Sequence, residues 1–363
     1  MKILHVCGEM VIGGAERAIY QLVKCQLEGG NKVDILSTSQ QSFYSQKVCE
    51  LDSTVHSVGQ KSGADFTCVR KYLKLACKYD VVHFHATNPA LILASIFLGR
   101  KQRLFYTHRG GDHKFPIKRY LSHRISGFCI KHKFDGVSGN TYHAAKVASN
   151  LFRIPNAKVN VTYNGIYFEL LTPKRNTKQV LNELGVRGRS KFLIGTTAKL
   201  IKWKRIDYLI QAIALMRDAP VHCFIIGDGP DRKRLKTLTS NLGVSEKISF
   251  TGRKEHVGDY LGVLDVFVLP SGSGESFGNS VVEAMSFGIP TIVMQDGGGM
   301  LEHYPEGFEM VAKDPADLAR LITSIVDTPE IGREIGTICN EYVRRKYTVR
   351  NMKEGYDRLY QLI

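Results

Sequence analysis

The stretch Pro270–Pro290, PSGSGESFGNSVVEAMSFGIP, carries the densest chemical information in the chain. A strand ending near Leu269 gives way to a loop of small residues, then Glu275, a Ser-Phe-Gly turn and an apolar helix carrying Glu283. Asn279 is a candidate N-cap, because its side-chain oxygen can accept from the free N–H groups of a first helical turn. The helix is expected to stop at Gly288, just ahead of Pro290. Glu275 precedes the helix and Glu283 sits in its second turn, so the two carboxylates approach from different directions. That layout suits two hydroxyl-bearing parts of one ligand lying across a helix N-terminus, a place that favours negative charge. Taken alone, it is also compatible with acid–base work by two carboxylates.

Outward from this stretch, 363 residues suggest two domains, each large enough for its own core. An apolar content of 43% excludes disorder. The start, MKILHVCGEM, lacks a long apolar core and a cleavage signal, and reads as a first strand rather than a signal peptide. The longest largely apolar run, Ala90–Leu98, falls short of the roughly 20 residues that a spanning helix needs. Eight cysteines are scattered without a C-x-x-C pair, which favours free thiols in a reducing, cytoplasmic setting over disulfides or zinc.

Charge is uneven. Residues 1–168 hold 23 Lys/Arg against 10 Asp/Glu, a net of +13, whereas residues 169–363 hold 27 against 24, a net of +3. Much of the excess lies between Arg100 and Lys133, including Arg103, Arg109, Lys114, Lys118, Arg119, Arg124 and Lys131. Such a face suits an anionic membrane surface, nucleic acid or a phosphorylated acceptor. Its bland alternative is a solvated face tuned for solubility.

Strand and helix patterns alternate. Strands are expected at Ile3–Val6, Val33–Leu36, Val81–Phe84, Leu104–Thr107, Phe134–Ser138 and Val159–Thr162, with helices between several of them. The polar segment from residue 169 to about 190, with Pro173, is the best boundary. A second series follows at Phe192–Thr197, His222–Ile226, Ile248–Thr251, Val266–Leu269 and Thr291–Met294. The expected architecture is two Rossmann-like α/β domains of parallel strands facing across a cleft, where such sheets bind ligands at their strand C-terminal ends.

Other constellations lie at strand ends. Gly13-Gly14 follows the first strand, where glycines let backbone approach a phosphate, although a glycine turn there is often only a turn. Lys199 and Lys204 follow the first strand of the second half and can neutralise a diphosphate; no D-x-D pair is present to bridge a metal. His83 and His85 share one strand face, which suits structural hydrogen bonding better than a metal lacking further ligands. His108 ends a strand and either projects into the cleft or is held by a backbone carbonyl. Asp228 in GDGP reads as turn chemistry.

Together these residues resemble the family-4 retaining glycosyltransferases of GT-B fold, over nearly the whole chain. The resemblance rests on GGAER at 13–17, YNGI at 163–166, AKLIKWKRIDYLI at 198–210, IGDGP at 226–230, FTGR at 250–253, and the Glu275-to-Glu283 signature followed by EAMSFGIP. It implies an acceptor-binding domain at 1–168, a nucleotide-sugar domain at 169–346, and a tail, 347–363, returning to the first domain. Glu283 would bond the ribose hydroxyls; Glu275, with Ser276, Phe277 and Gly278, would hold the donor sugar. Gly13, Gly14, Lys199 and Lys204 would bind the diphosphate, Arg253 would border the base, and His108 would lie on the acceptor side. The family usually has Arg where this chain has Lys199, which keeps charge but loses the bidentate fork.

The implied reaction is retaining, metal-independent transfer from a nucleotide-sugar, with a UDP-sugar expected from family habit. The acceptor would be a lipid-linked saccharide or a lipopolysaccharide or polysaccharide precursor, at the inner face of the cytoplasmic membrane. Competing readings are a GT-B sugar-nucleotide epimerase or phosphorylase, and a basic nucleic-acid binder. No aromatic-interleaved basic stretch supports the last, so no nucleic acid is expected.

Overall fold

The computed structural model describes residues 1–37, 42–59, 66–85, 88–112, 117–186 and 191–361, with the side chains of 66 and 117–121 outside that description. Strand–helix alternation resolves into two units, Met1–Ile166 with Tyr347–Ile363, and Tyr167–Lys346. In the first unit, β1 (Lys2–Cys7), β2 (Lys32–Ser37), β3 (Val55–Ser57), β4 (Val81–Phe84), β5 (Arg103–His108), β6 (Gly136–Gly139) and β7 (Val159–Val161) form one sheet. Their order is β3-β2-β1-β4-β5-β6-β7, with all pairs parallel. The helices are α1 (Gly14–Glu28), α2 (Phe43–Cys49), α3 (Phe66–Ala76), α4 (Pro89–Ala94), α5 (Ile117–Lys133) and α6 (Tyr142–Phe152).

Alternation along each strand sends side chains to opposite faces. Leu4, Val6, Val82, Phe84, Leu104 and Tyr106 enter one buried cluster with Tyr72, Leu91, Ile130 and Phe152 from the helices. Local chemistry starts these helices: Asn88 accepts from Leu91 N–H ahead of Pro89, and Thr141 accepts from Ala144 N–H.

The second unit contains α7 (Thr177–Glu183), β8 (Phe192–Thr197), α8 (Ile206–Leu215), β9 (Val221–Ile226), α9 (Arg232–Asn241), β10 (Ile248–Gly252) and α10 (Val257–Leu261). It continues through β11 (Val266–Leu269), α11 (Asn279–Met285), β12 (Thr291–Met294), β13 (Val311–Ala312), α12 (Pro315–Asp327) and α13 (Pro329–Lys346). Its strands run β10-β9-β8-β11-β12-β13, again all parallel. The chain order reverses between β8 and β11. Helix α8 packs with α9 and α12, whereas α11 packs with α13. The polar segment that marked the boundary is tied down: Arg175 bridges Asp259 and Glu183, and Glu183 also accepts from Lys254 and Tyr260.

Some elements differ from the sequence expectations. Strands β3 and β13 span only three and two residues, too short to show a period. Phe134 precedes β6 rather than opening it. The tail helix, α14 (Val349–Gln361), belongs to the first unit, where Met352, Tyr356, Leu359 and Tyr360 are buried; Leu362 lies outside the described residues.

On the sheet face opposite that apolar cluster lies a buried polar chain. Register sets His5 beside His83. A guanidinium only donates, so Arg109 Nε–H donates to His85 Nδ1 at 3.1 Å. His85 therefore keeps its proton on Nε2 and donates to His5 Nδ1 at 2.8 Å, and His5 Nε2–H donates to Gln26 Oε1 at 2.7 Å. Gln26 Nε2 donates to the Tyr360 hydroxyl at 3.4 Å, which leaves that hydroxyl to donate to His83 Nδ1 at 2.7 Å. His83 Nε2–H then donates to Thr107 Oγ1 at 2.7 Å, and Thr107 reaches Ser138 at 2.7 Å. Every link from Arg109 to Thr107 runs one way. Burial holds all three imidazoles in the neutral form, lowering His5 to about 4 and His83 and His85 well below the usual histidine range.

The three histidine ligand atoms lie within 4.8 Å of one another, close enough to suggest a metal. All six ring nitrogens are nevertheless engaged in the chain, and a guanidinium abuts it. The arrangement suits hydrogen bonding rather than a cation. In the unfolded chain these histidines protonate near pH 6.5; in the folded chain they resist it. Stability is therefore complete above pH 6.5 and is lost as pH falls from 6.5 toward about 4, His5 alone accounting for about 3 kcal/mol. Thermal unfolding between pH 7.5 and 4.5 should show this fall, and Tyr360→Phe, which breaks the chain at its centre, should lower stability by about 1–3 kcal/mol at pH 7.5.

Candidate functional site

At the reversal of strand order in the second unit, the crossovers leaving β8 and β11 go to opposite faces of the sheet. The loops at their C-terminal ends therefore diverge and leave a crevice between them. From β8 come Lys199, exposed, and Lys204, in a 3₁₀ turn at Lys202–Lys204. From β11 come Glu275, Ser276, Phe277 and Gly278, followed by α11 with Glu283. Lys204 Nζ forms an ion pair with Glu275 Oε2, the two side chains only 15% and 13% exposed. Lys204 also stands 4.5 Å above the Trp203 ring, which assigns the single tryptophan to the support of this lysine. Glu283 is 2% exposed on α11.

One expectation is corrected here. Asn279 is the first residue inside the helix, and the N-cap is Gly278, in the left-handed region at φ 74° and ψ 61°. A side chain at that position would be strained and would also meet Met300 at 2.7 Å, which is why glycine opens this helix. The far end of α11 is capped from a distance: Asn340 Nδ2 donates to the Ser286 carbonyl at 2.5 Å, and Arg344 Nε and Nη2 donate to it at 3.1 and 2.9 Å.

The GDGP turn after β9 supports the lysine loop. Leu200 N–H donates to the Asp228 carbonyl and Asp231 N–H to the Leu200 carbonyl, both at 3.0 Å. A Cβ on Gly229 would lie 2.3 Å from the Leu200 carbonyl oxygen, so only glycine lets the turn lie flush against that loop. Asp228 accepts from Gly229 N–H at 2.8 Å and from Arg232 at 2.9 Å, and the backbone donor first, then the guanidinium, hold its carboxyl below the usual range. It is a turn residue. Arg253 is exposed just beyond β10, close enough for its charge to act on Asp228.

Several supporting groups had no sequence signal. His303 Nε2–H donates to the Phe277 carbonyl, and burial lowers His303 to about 3, keeping it a neutral donor behind the Glu275 loop. Gly299 N–H donates to the Glu275 carbonyl at 3.2 Å. The buried hydroxyls of Thr196, Thr197 and Ser271, at the ends of β8 and β11, have no protein partner among the described residues. Buried hydroxyls of that kind are satisfied by a bound water or ligand.

The remaining candidates belong to the first unit. Gly13 is the N-cap of α1 in extended backbone, with the Glu16 carboxylate 2.2 Å from where its Cβ would stand, and Gly14 is exposed in the first turn. His108 is 8% exposed at the end of β5, with its ring beside those of Tyr106 and Phe152 and its Nδ1 3.4 Å from the Tyr106 hydroxyl. Its neighbour Arg109 also bonds Asn164 of the YNGI segment at 2.6 Å and Tyr356 of the tail helix at 2.9 Å.

Two family profiles match in series: "Glycosyltransferase Family 4" over residues 12–170 and "Glycosyl transferases group 1" over 184–342. The chain belongs to the family-4, group 1 glycosyltransferases. N-acetyl-alpha-D-glucosaminyl L-malate synthase of Bacillus anthracis is 25% identical over 363 residues, covering 96% of this glycosyltransferase and 94% of the relative. A lipopolysaccharide core biosynthesis glycosyltransferase, LpsD, of Rhizobium meliloti is 26% identical over 167 residues, covering 46% of this chain and 48% of that one. The crystal structure of Anabaena Alr3699/HepE in complex with UDP and glucose superposes with a TM-score of 0.86 at 19% identity, covering all of both chains. The fold is therefore GT-B.

Gly229→Ala in this glycosyltransferase should force the lysine loop from the GDGP turn. The expected result is a loss of about 1–3 kcal/mol in unfolding free energy, the cost of overpacking a close contact, read as a lower denaturant midpoint at unchanged slope.

Proposed function

We propose that this glycosyltransferase moves a sugar from UDP-sugar, with retention at the anomeric carbon, to a hydroxyl of a lipid-linked saccharide or a lipopolysaccharide or polysaccharide precursor. The observation that carries the donor half is the Lys204–Glu275 pair at the strand-order reversal, with Lys199 exposed on the same loop as Lys204 and Glu283 on the following helix. Lys199 and Lys204 neutralise the diphosphate as it leaves, which is the electrostatic work a metal performs elsewhere. Glu275, with Ser276, Phe277 and Gly278, positions the sugar; Glu283 holds the ribose; Arg253 borders the base. Gly13 and Gly14 add backbone donors for the diphosphate, and His108 serves the acceptor side. Glu275 is committed to Lys204, which suits a positioning role better than a covalent nucleophile.

The acceptor half rests on surface chemistry of the first unit. Helices α4 and α5 are neighbours there; with the 3₁₀ turn Ser95–Phe97 that follows α4, they expose Leu93, Phe97, Ile125 and Phe128, the phenylalanines at 76% and 68%. Exposed Arg100, Lys101 and Lys131 flank them; Lys114 lies outside the described residues, as do the side chains of Lys118 and Arg119. Apolar rings bordered by cations suit the interface of an anionic bilayer. No described helix is long and apolar enough to cross a membrane. From the rings bordered by cations we infer a peripheral placement on the cytoplasmic face. The full-length Bacillus relative names a malate, and a small hydroxy acid is the second acceptor class to test.

Calorimetry with UDP, GDP and their sugars should find one UDP-sugar that binds, with Glu283→Ala weakening it by about tenfold or more, the scale of losing a charged hydrogen bond. No binding of any nucleotide-sugar, or equal binding by the variant, would sink the donor assignment. Product anomeric configuration by NMR tests retention. In vesicle co-sedimentation, binding should require anionic lipid, fall as salt rises and be lost in Phe97→Ser/Phe128→Ser. Unchanged partition by that double variant would refute the membrane face.

A further inference from the structure

Among the described residues, three other than glycine have positive φ: Asp52, Arg153 and Arg205. Arg205 stands apart because it directly follows Lys204 and opens α8, at φ 50° and ψ 38°. A residue with a Cβ is strained there, and such strain persists only where surrounding bonds hold it. The bonds are on view. Arg205 Nη1 and Nη2 donate to the two Asp296 oxygens at 2.9 and 2.8 Å, the bidentate geometry of a guanidinium on a carboxylate. The guanidinium lies over the Tyr208 ring at 5.5 Å. It also lies flat against Gly272, where a Cβ would meet Nη2 at 2.6 Å.

One side chain therefore ties its own loop to two others. Lys204 and Arg205 follow β8, Gly272 follows β11 and leads to Glu275, and Asp296 follows β12. Each loop borders the crevice: Glu275 N–H donates to the Gly272 carbonyl at 3.0 Å, and the turn after Asp296 returns a bond from Gly299 to Glu275. We propose that Arg205 and Asp296 form a positioning clip that sets Lys204 opposite Glu275 before the donor arrives. The clip rests on the donor reading above, and acts through Lys204 and Glu275 rather than on the reacting atoms. The αL backbone at Arg205 turns the chain sharply enough to send Lys204 toward Glu275 and the guanidinium toward Asp296. The ion pair is what keeps an arginine in that conformation.

Two substitutions separate clip from strain. Arg205→Gly removes the fork and relieves the backbone; Asp296→Asn removes the charge and leaves the strain. Both should weaken donor binding and raise donor KM about tenfold, the scale of a displaced positioning group, with kcat less affected. Their thermal stabilities should part, Asp296→Asn falling below wild type and Arg205→Gly not falling. Arg205→Lys, lacking the fork, should not rescue donor KM. In the absence of donor, hydrogen exchange of the 270–278 amides should quicken about tenfold in both main variants, as expected when local opening becomes easier, and stay unchanged in the first unit. Unaltered exchange in that loop, or a drop in stability with donor KM intact, would overturn the clip. Should wild type bind no nucleotide-sugar, the donor reading fails while the exchange comparison still decides whether the clip orders the loop.

Discussion

The second unit depends on one constraint of parallel sheets: where successive crossovers go to opposite faces, the loops between them cannot meet. Strand β8 sends its chain to α8, on the side of α9 and α12, and β11 sends its chain to α11, on the side of α13. The crevice that results is a consequence of connectivity, filled only by what the loops carry. Here they carry a lysine pair on one side and a carboxylate on the other, and Lys204–Glu275 closes the gap. Two mostly buried charges in contact need their full set of partners, because removing either leaves the other desolvated. On the proposed function, a donor diphosphate entering this site would meet a lysine already ordered by its carboxylate, so the ordering cost would be met in the resting protein.

What orders the pair is a shell of neutral donors and backbone contacts. His303 is held neutral by burial and still donates, which a carbonyl acceptor such as Phe277 requires. The Ser286 carbonyl at the end of α11 collects donors from Asn340 and Arg344 on α13, fixing the helix that carries Glu283. Gly229 allows the GDGP turn to press on the lysine loop. None of these groups reaches the crevice as a charge. They hold the groups that do.

How much of this was legible in the sequence follows from distance along the chain. Local signals read well: β4, β8, β11 and β12 lie where the apolar runs place them, and Thr141 caps α6 from within three residues. Short edges such as β13 carry no period, since two residues cannot display one. The opening of α11 was misplaced by one residue because Asn279 has the chemistry of a cap. The backbone instead needed a left-handed residue, and Gly278 supplied it. Long-range partners were invisible. Asp296 lies 91 positions from Arg205 and Arg344 lies 58 from Ser286, with no periodicity to link them. Lys199 and Lys204 stood out as charges just after a strand, and Glu275 and Glu283 as carboxylates before and inside one short helix.

The histidines of the first unit show the same limit from the other side. A strand reading HFH, with His5 on its neighbour, has the composition of a metal site, and composition alone cannot exclude one. The deciding group is Arg109, 24 positions from His85, whose guanidinium can only donate. Once its proton is assigned, each imidazole tautomer follows in turn through Gln26 and Tyr360 to Thr107, and each ring nitrogen is committed. The direction of the chain is then a property of the fold. It requires the tail helix to return, because Tyr360 is the link between His5's partner and His83. A neutral chain of this length is stable only while all members are present and dry. That is why the last helix is built on tyrosines whose hydroxyls face the sheet, and why Arg109, bonded at once to His85, Asn164 and Tyr356, sits where strand, motif and tail converge.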